Sequence, residues 1–416
     1  MIAKESVSDL AIFGSPPASS RPVHVGTPNI GRTQRFLERA DDLLRRRWLT
    51  NAGPYVQEFE RRIAERLAVR HCIAMCNATV ALEIAIRALG MRGEVIVPSF
   101  TFIATAHALQ WQEITPVFAD IDAKTHCIDP VQVRQMITPR TSGIIGVHIW
   151  GRPCEVDSLA QVARDHNLKL LFDAAHAFGC SHRGQMVGNF GDAEVLSFHA
   201  TKFLNTFEGG AIVTNNDELD AKVRLMKNFG FAGYDNVIYL GTNGKMNEIC
   251  AAMGLTGLES VDDFVAANRR NYEQYRRELQ GVPGVQLISY DSAEKCNYQY
   301  LVAEIDDSRT GVARDDLVRV LHAENVLARR YFYPGCHQME PYRSYFPHAG
   351  LLLPHTERLC SRVLVLPTGT AVGPEQVHGI CQIIRLAVDH AENINGALRA
   401  ATAAGARTPA EAPAAH

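Results

Sequence analysis

The chain lacks the features typical of membrane, secreted and nucleic-acid-binding proteins. No uncharged run approaches the roughly 20 apolar residues that a membrane helix needs, and the first 25 residues contain no apolar signal-peptide core. The ten cysteines form no CxxC pair and do not cluster with histidine, so we expect reduced thiols and no metal. The formal net charge is -3, and Lys and Arg are scattered along the chain rather than clustered, which argues against a nucleic-acid-binding surface. These absences predict a cytoplasmic protein without nucleic-acid or membrane partners.

What the chain does contain is apolar strand-like runs that alternate with helical stretches. The chain has 416 residues, which is more than one hydrophobic core usually organises. Of these residues, 46% are hydrophobic, as in an ordinary globular protein. The runs HCIAMC, EVIVPS, SGIIGVHI and LKLLFDAA are apolar on both faces. This alternation predicts an α/β fold with a mostly parallel central sheet covered by helices. Sheets of this kind bind ligands at the carboxyl ends of their strands.

Changes in composition suggest four segments. Residues 1–30 are rich in Ser, Pro and Gly and are predicted to form an arm over the body or over a neighbour. Residues 31–265 would form the large domain that carries the sheet. A long charged helix then introduces a smaller α+β domain over residues 266–392, and the Ala- and Pro-rich residues 393–416 are predicted to be disordered.

Two residues carry the chemistry that the sequence indicates most directly. Asp173 ends an apolar strand in FDAAHAFG, and Lys202 follows in the polar segment LSFHATKFLNTFEGG. A lysine whose pKa is lowered by burial can form an imine with an aldehyde cofactor. Pyridoxal 5'-phosphate also needs a carboxylate beside its ring nitrogen. Each residue alone has an ordinary explanation, the Asp as a strand cap and the Lys as a solvated side chain. The prediction of a cofactor site therefore depends on their occurring together and in this order.

Other residues suit the remaining parts of such a cofactor. Ala78 and Thr79 open a buried helix directly after a strand, and the free N–H groups there form an anion site. Ser197 adds a hydroxyl. Phe102, in PSFTF, is the best aromatic cover for a flat ring, with Ala175 on the opposite face, although Phe102 alone would read as a core residue.

Six separated blocks resemble one known family, in order, over roughly residues 23 to 390. They are WLTNAGP, VPSFTFIAT, FDAAHAFG, GDAEVLSFHATKFLNTFEGGAIVTNN, GTNGKMNEICAAMGL and YFYPGCHQMEPY. The chain is similar to the DegT/DnrJ/EryC1/StrS sugar aminotransferases. The resemblance implies a fold-type I transferase, like aspartate aminotransferase, that uses pyridoxal 5'-phosphate and forms a homodimer with shared active sites.

The resemblance also implies roles for individual residues. Lys202 would be the imine-forming lysine, Asp173 would meet the pyridine nitrogen, and Asn243 would reach the phosphate from the partner subunit. The other cofactor-binding residues would be Ala78, Thr79, Phe102, His176 and Ser197. One departure concerns Lys245, where many members have Arg, and lysine binds phosphate as a point charge rather than a fork.

Within the family, the chain looks closest to enzymes that convert dTDP-4-keto-6-deoxy-D-glucose to dTDP-4-amino-4,6-dideoxy-D-glucose with L-glutamate, in deoxyaminosugar biosynthesis for an antibiotic or a polysaccharide. There are two alternatives: a nucleotide-sugar 3-keto aminotransferase, and a non-catalytic regulatory protein on the same scaffold. The missing GxGxxG after the first strand disfavours a nicotinamide dehydrogenase. Candidate substrate-binding residues, each with an equally ordinary surface or core explanation, are Trp48, Lys245, Arg329, Tyr331 and His337.

Overall fold

The computed structural model describes residues 1–403, in which short strands alternate with helices. The strands are β1 (Val23–His24), β2 (His71–Met75), β3 (Glu94–Pro98), β4 (Thr115–Ala119), β5 (Thr141–Val147), β6 (Lys169–Asp173), β7 (Ser181–His182), β8 (Gln185–Met186), β9 (Ala193–Ser197), β10 (Gly210–Thr214), β11 (Val285–Leu287), β12 (Leu301–Ile305), β13 (Val326–Leu327) and β14 (Val363–Leu366). The α-helices are α1 (Thr33–Arg46), α2 (Pro54–Leu67), α3 (Ala78–Ala88), α4 (Ile103–Gln110), α5 (Pro130–Gln135), α6 (Val156–Asp165), α7 (Asp217–Met226), α8 (Glu248–Leu258), α9 (Val261–Glu278), α10 (Asp307–Thr310), α11 (Arg314–Ala323), α12 (Tyr342–Tyr345), α13 (Pro354–Arg362), α14 (Pro374–Asp389) and α15 (Ala391–Ala403).

Seven strands form the central sheet, in the order β2-β10-β9-β6-β5-β3-β4. The strands from β9 to β4 pair in parallel, and β10 runs antiparallel to both of its neighbours. The prediction of a mostly parallel sheet is confirmed. The antiparallel β10 was not predicted, because a buried strand is apolar on both faces whichever way it runs.

Alternate residues of each central strand face different helices. Ile73 and Met75 pack into a core with α3, α4 and α7, while Cys72 and Ala74 face a core with α2 and α8. Successive side chains of a strand point to opposite faces, so both cores need apolar residues from the same short run. Helices therefore cover both faces of the sheet. Within residues 1–403, no helix has the length and apolarity to cross a membrane.

The residues of the predicted small domain contain the antiparallel sheet β11-β12-β14, which packs against α11 and α14. Helix α9 runs unbroken across the predicted boundary at residue 265, with Phe264 in a core of the large domain and Tyr275 in the core of the small one. The boundary that we predict at residue 265 therefore falls inside a continuous helix, and it remains a proposal. The predicted arm lies over the small domain, where Leu10 is fully buried and Lys4 pairs with Glu324 at 3.3 Å.

The predicted disorder of residues 393–416 is wrong for its first part. Residues 393–403 belong to α15, in which Ile394 and Leu398 are buried in the small-domain core. These two residues are four apart and share one face of the helix. The Ala-rich composition of the segment predicts nothing to bury, because alanine offers little apolar surface, and only these two larger residues supply it. Residues 404–416 lie outside the described residues.

Candidate active site

Polar side chains meet where the parallel strands of the central sheet end. Asp173 is the last residue of β6, and it lies in register with Val147 at the end of β5 and Val195 in β9. Ser197 is the last residue of β9. Because parallel strands end at a common edge, the loops that follow converge there. The predicted site residues on β6 and β9 are therefore brought together.

Asp173 is a buried carboxylate held in a fixed orientation. Thr105 Oγ1 donates to Oδ2 at 2.9 Å, and the backbone N–H of Ala175 donates to Oδ1 at 3.0 Å. Burial raises the pKa of Asp173, while the bonds from Ala175 and Thr105 and the nearby Lys202 oppose that rise. Sequence reasoning missed Thr105, whose only signal was its position one turn after Phe102.

Lys202 lies in a closed loop that follows β9. The N–H of Thr206 donates to the carbonyl of Phe198 at 2.8 Å, and Phe203 anchors the loop in the core. The half-buried Lys202 amine donates to Tyr300 Oη at 3.3 Å. Burial lowers the pKa of Lys202 to about 8, and the Asp173 carboxylate partly opposes this. At neutral pH a useful fraction of this amine is therefore unprotonated.

His176 is fixed beside Lys202 in one tautomer. Its Nδ1 accepts a hydrogen bond from the backbone N–H of Trp150 at 3.3 Å, so the neutral ring carries its proton on Nε2. Its ring lies 4.1 Å from the ring of Tyr300 and stacks on Trp150 at 5.9 Å. Burial, and then the charge of Lys202, hold the pKa of His176 well below its usual range. His176 is therefore a neutral donor.

The start of α3 and the end of β9 lie close together, on either side of β10. Gly210 pairs with Met75 on one side and with Ser197 on the other, which sets Ala78 and Thr79 across β10 from Ser197. A Cβ on Gly210 would lie 2.7 Å from the backbone nitrogen of Ala78, so only glycine permits this approach. The first N–H groups of a helix have no intrahelical acceptor and attract anions.

Phe102 and Ala175 lie in segments that follow two different strands of the sheet, β3 and β6. Phe102 directly precedes α4 and is 58% exposed, an unusual state for a large aromatic side chain. Thr105, in the first turn of α4, donates to Asp173, so Phe102 lies three residues before a residue that contacts the carboxylate. Ala175 is half-buried beyond the end of β6.

Asn243 and Lys245 lie away from the Lys202 of their own chain. Lys245 bridges to Met75 on the outer edge of β2, with β2 and β10 between it and β9, or about 14 Å at ordinary strand spacing. Its amine donates to Asn228 at 3.0 Å, and its pKa is lowered by burial and by Lys227. Asn243 is exposed.

The remaining substrate candidates fare differently. Trp48 is 48% exposed. Arg329 is exposed and lies 5.2 Å from the ring of Tyr331, which is itself 6.5 Å from the ring of Tyr300. The substrate role of His337 is wrong: the side chain is 1% exposed, and its ring nitrogens bond Ser99 and Glu357.

Comparisons with known proteins agree on one family. The model of the DegT/DnrJ/EryC1/StrS aminotransferase family matches residues 32–385. A dTDP-4-amino-4,6-dideoxy-D-glucose transaminase of Shigella dysenteriae is 37% identical over 365 residues, which cover 88% of this chain and 99% of that protein. A GDP-perosamine synthase of Escherichia coli O157:H7 is 34% identical over 85% of this chain and 95% of its own length.

Solved structures extend the likeness to the fold. DesI, solved in the presence of its TDP-sugar product, is 50% identical with a TM-score of 0.91, over 95% of this chain and 100% of that one. DesV of S. venezuelae, solved in complex with a ketimine intermediate, is 28% identical with a TM-score of 0.80, over 88% of this chain and 100% of that one. The extent of these matches and the strand-end site establish that this chain is a member of the DegT/DnrJ/EryC1/StrS aminotransferase family.

Proposed function

We propose that this aminotransferase uses pyridoxal 5'-phosphate to move an amino group from L-glutamate to dTDP-4-keto-6-deoxy-D-glucose, giving dTDP-4-amino-4,6-dideoxy-D-glucose. The observation that carries the proposal is the half-buried Lys202 amine, whose pKa is lowered to about 8, near the buried Asp173 carboxylate. A primary amine attacks an aldehyde only when unprotonated, so this environment suits a lysine that binds the cofactor covalently.

The residues at the strand ends fit the parts of this cofactor. The start of α3 and Ser197 supply neutral donors for a phosphate, and Gly210 leaves room for them to converge. The Asp173 carboxylate suits a protonated ring nitrogen, and the exposed Phe102 suits a flat ring face. When bound, pyridoxal 5'-phosphate supplies an electron sink for the carbon that loses its proton.

Each side chain then has a separate task. The Lys202 amine, once released, takes the proton from the donor's reacting carbon and returns one to the sugar carbon. Asp173, oriented by Thr105, holds a proton on the ring nitrogen. His176 offers an Nε2–H to an oxygen at the site, and it stays neutral because burial lowers its pKa.

The choice of substrate follows from the named relatives. The transaminase of Shigella dysenteriae and DesI, a protein with a TDP-sugar product, are both similar over most of this chain. A regulatory protein without activity would have no physical reason to keep Asp173 buried and bonded beside a lysine of lowered pKa. Arg329 and Tyr331 are our candidates for contacts with the sugar nucleotide.

The direct test offers glutamate and a panel of nucleotide 4-keto and 3-keto sugars to the purified protein, with 2-oxoglutarate release and product NMR as readouts. We expect amination at C4 of the dTDP sugar. Lys202→Ala, the control, should fold, lack the visible absorbance of a lysine-linked cofactor and transfer nothing. Amination at C3 only would refute the substrate assignment, and full activity of Lys202→Ala would refute the whole assignment.

We also propose that two copies of the chain share their active sites. Between residues 229 and 240, seven large apolar side chains are 39% to 102% exposed, more than an isolated surface normally leaves open: Phe229, Phe231, Tyr234, Val237, Ile238, Tyr239 and Leu240. Asn243 follows this segment, two residues before Lys245, which lies on the outer edge of β2 and is separated from β9 by β2 and β10. A second copy is the partner whose site would use this asparagine.

Mixing two inactive variants tests the shared site. Lys202→Ala and Asn243→Ala should each have little activity, because each lacks one component of every site. After mixing and subunit exchange, a hybrid dimer has one site with both residues, so activity should reappear. Asn236→Ala, a change in the exposed turn of the same segment, is the matched control and should stay active alone. A monomer by sedimentation, or no activity on mixing despite exchange, would refute the proposal.

A further inference from the structure

Tyr300 brings a hydroxyl from the small domain to the reactive amine of the large domain. It directly precedes β12, is 6% exposed, and its Oη accepts a hydrogen bond from the Lys202 amine at 3.3 Å. We propose that Tyr300 is a catalytic residue that keeps the Lys202 amine hydrogen-bonded in both of its protonation states. This inference rests on the proposed function, in which Lys202 gains and loses a proton in every cycle.

The other groups that face Lys202 can either accept from its N–H groups or donate to its lone pair, but cannot do both. Asp173 is an acceptor, and its two oxygens already bind Thr105 and the N–H of Ala175. His176 has only its Nε2–H to offer, because Nδ1 accepts from Trp150. A hydroxyl both accepts and donates. Tyr300 can therefore accept from the ammonium and then, after a rotation about its C–O bond, donate to the neutral amine.

The surroundings of Tyr300 hold this hydroxyl in place and keep it protonated. Its backbone carbonyl accepts from Tyr290 Oη at 2.8 Å, and its ring packs against Trp150 at 5.4 Å. Burial raises the pKa of Tyr300 well above its usual value of 10, and Tyr331 and Asp173 add to the rise. The proton of the hydroxyl is thus retained while Lys202 titrates near 8.

Tyr300→Phe removes the hydroxyl and leaves the ring. Tyr298→Phe is the matched control, because Tyr298 lies in the same segment but packs its ring on Tyr272 and Tyr290, both at 5.3 Å. The first measurement is the pKa of Lys202 in cofactor-free protein, from trace acetylation and mass spectrometry over a pH series. A bond to the charged form is the stronger one, so Tyr300→Phe should lower this pKa by about one unit.

The second measurement is steady-state transamination. Loss of this hydrogen bond to the half-buried amine should lower kcat by about tenfold in Tyr300→Phe, with the KM for glutamate within about twofold of wild type. Tyr298→Phe should match wild type in both assays. An unchanged Lys202 pKa, or an unchanged kcat, would overturn the role of Tyr300 while leaving the transaminase assignment intact. Absence of transamination in the wild-type protein would instead refute the proposed function, on which this role depends.

Discussion

The bond from Thr105 to Asp173 predicts how strongly the protein depends on one buried hydroxyl. Thr105 is fully buried, and its Oγ1 donates to the Asp173 carboxylate at 2.9 Å. A hydrogen bond to a charged group contributes about 1.5–3 kcal/mol. Thr105→Val keeps the shape and removes the donor, so the pKa of Asp173 should rise by a further one to two units, at about 1.4 kcal/mol per unit.

The sign of the pH dependence follows from the raised pKa. Because burial raises the folded-state pKa of Asp173 above 3.8, its ionised form costs stability at neutral pH, and the cost disappears as acid protonates it. The Thr105 bond offsets part of that cost only while Asp173 is ionised. Thr105→Val should therefore lower the free energy of unfolding by about 2 kcal/mol at neutral pH, and by less in acid.

Urea unfolding of the cofactor-free protein, at neutral pH and again near about pH 4, measures this difference. Thr105→Ser is the control, because it keeps the hydroxyl and loses only a methyl group, whose cost of about 1 kcal/mol does not depend on pH. The Oγ1 atoms of Thr105 and Thr101 also share a hydrogen bond at 3.0 Å. Loss of this neutral bond in Thr105→Val adds a small destabilisation that likewise does not depend on pH. Equal destabilisation of Thr105→Val at both pH values would show that Asp173 is not its essential partner.

Three further variants test other parts of the structure. Asp173→Asn should retain the cofactor but lose most of kcat, since a neutral amide cannot hold the ring nitrogen protonated; a normal kcat would contradict the pairing. Lys202→Met should stabilise cofactor-free protein by about 2 kcal/mol below pH 8, because partial burial disfavours the ammonium in the folded state, and the gain should shrink between pH 8 and 10.5; urea unfolding across that range measures it. Glu248→Ala should lower the free energy of unfolding by about 2–3 kcal/mol in the same assay, because this buried carboxylate caps α2 by accepting from the N–H groups of Tyr55 and Val56 at 2.8 and 3.0 Å. A decrease below about 0.5 kcal/mol would refute this capping role.

The parts of the site that sequence could predict are those whose chemistry needs a particular residue type. An imine with the cofactor would need a lysine and a pyridinium proton would need a carboxylate, so Lys202 and Asp173 could be proposed for these roles from the sequence. Thr105 and Tyr300 could not. Tyr300 is 98 residues from Lys202 in the chain, and their contact depends on how the small domain packs against the large one.

The errors have similar physical causes. His337 has the composition of a site residue, but its partners Ser99 and Glu357 come from distant segments, and burial between them removes it from solvent. The helix over residues 393–403 was missed because only Ile394 and Leu398 interrupt a run of small and polar residues. Both depend on tertiary packing, which local pattern does not report.

The burial of the first residues has a consequence for synthesis on the ribosome. Leu10 and Val23 complete a hydrophobic core whose other members include Ile380 and Ile384 of α14. More than three hundred residues must emerge between these partners, so the earliest segment stays unpaired while the parallel sheet is already able to assemble. Throughout that interval Leu10 and Val23 lack their partners in α14 and are open to chaperones and to neighbouring nascent chains, until α14 emerges.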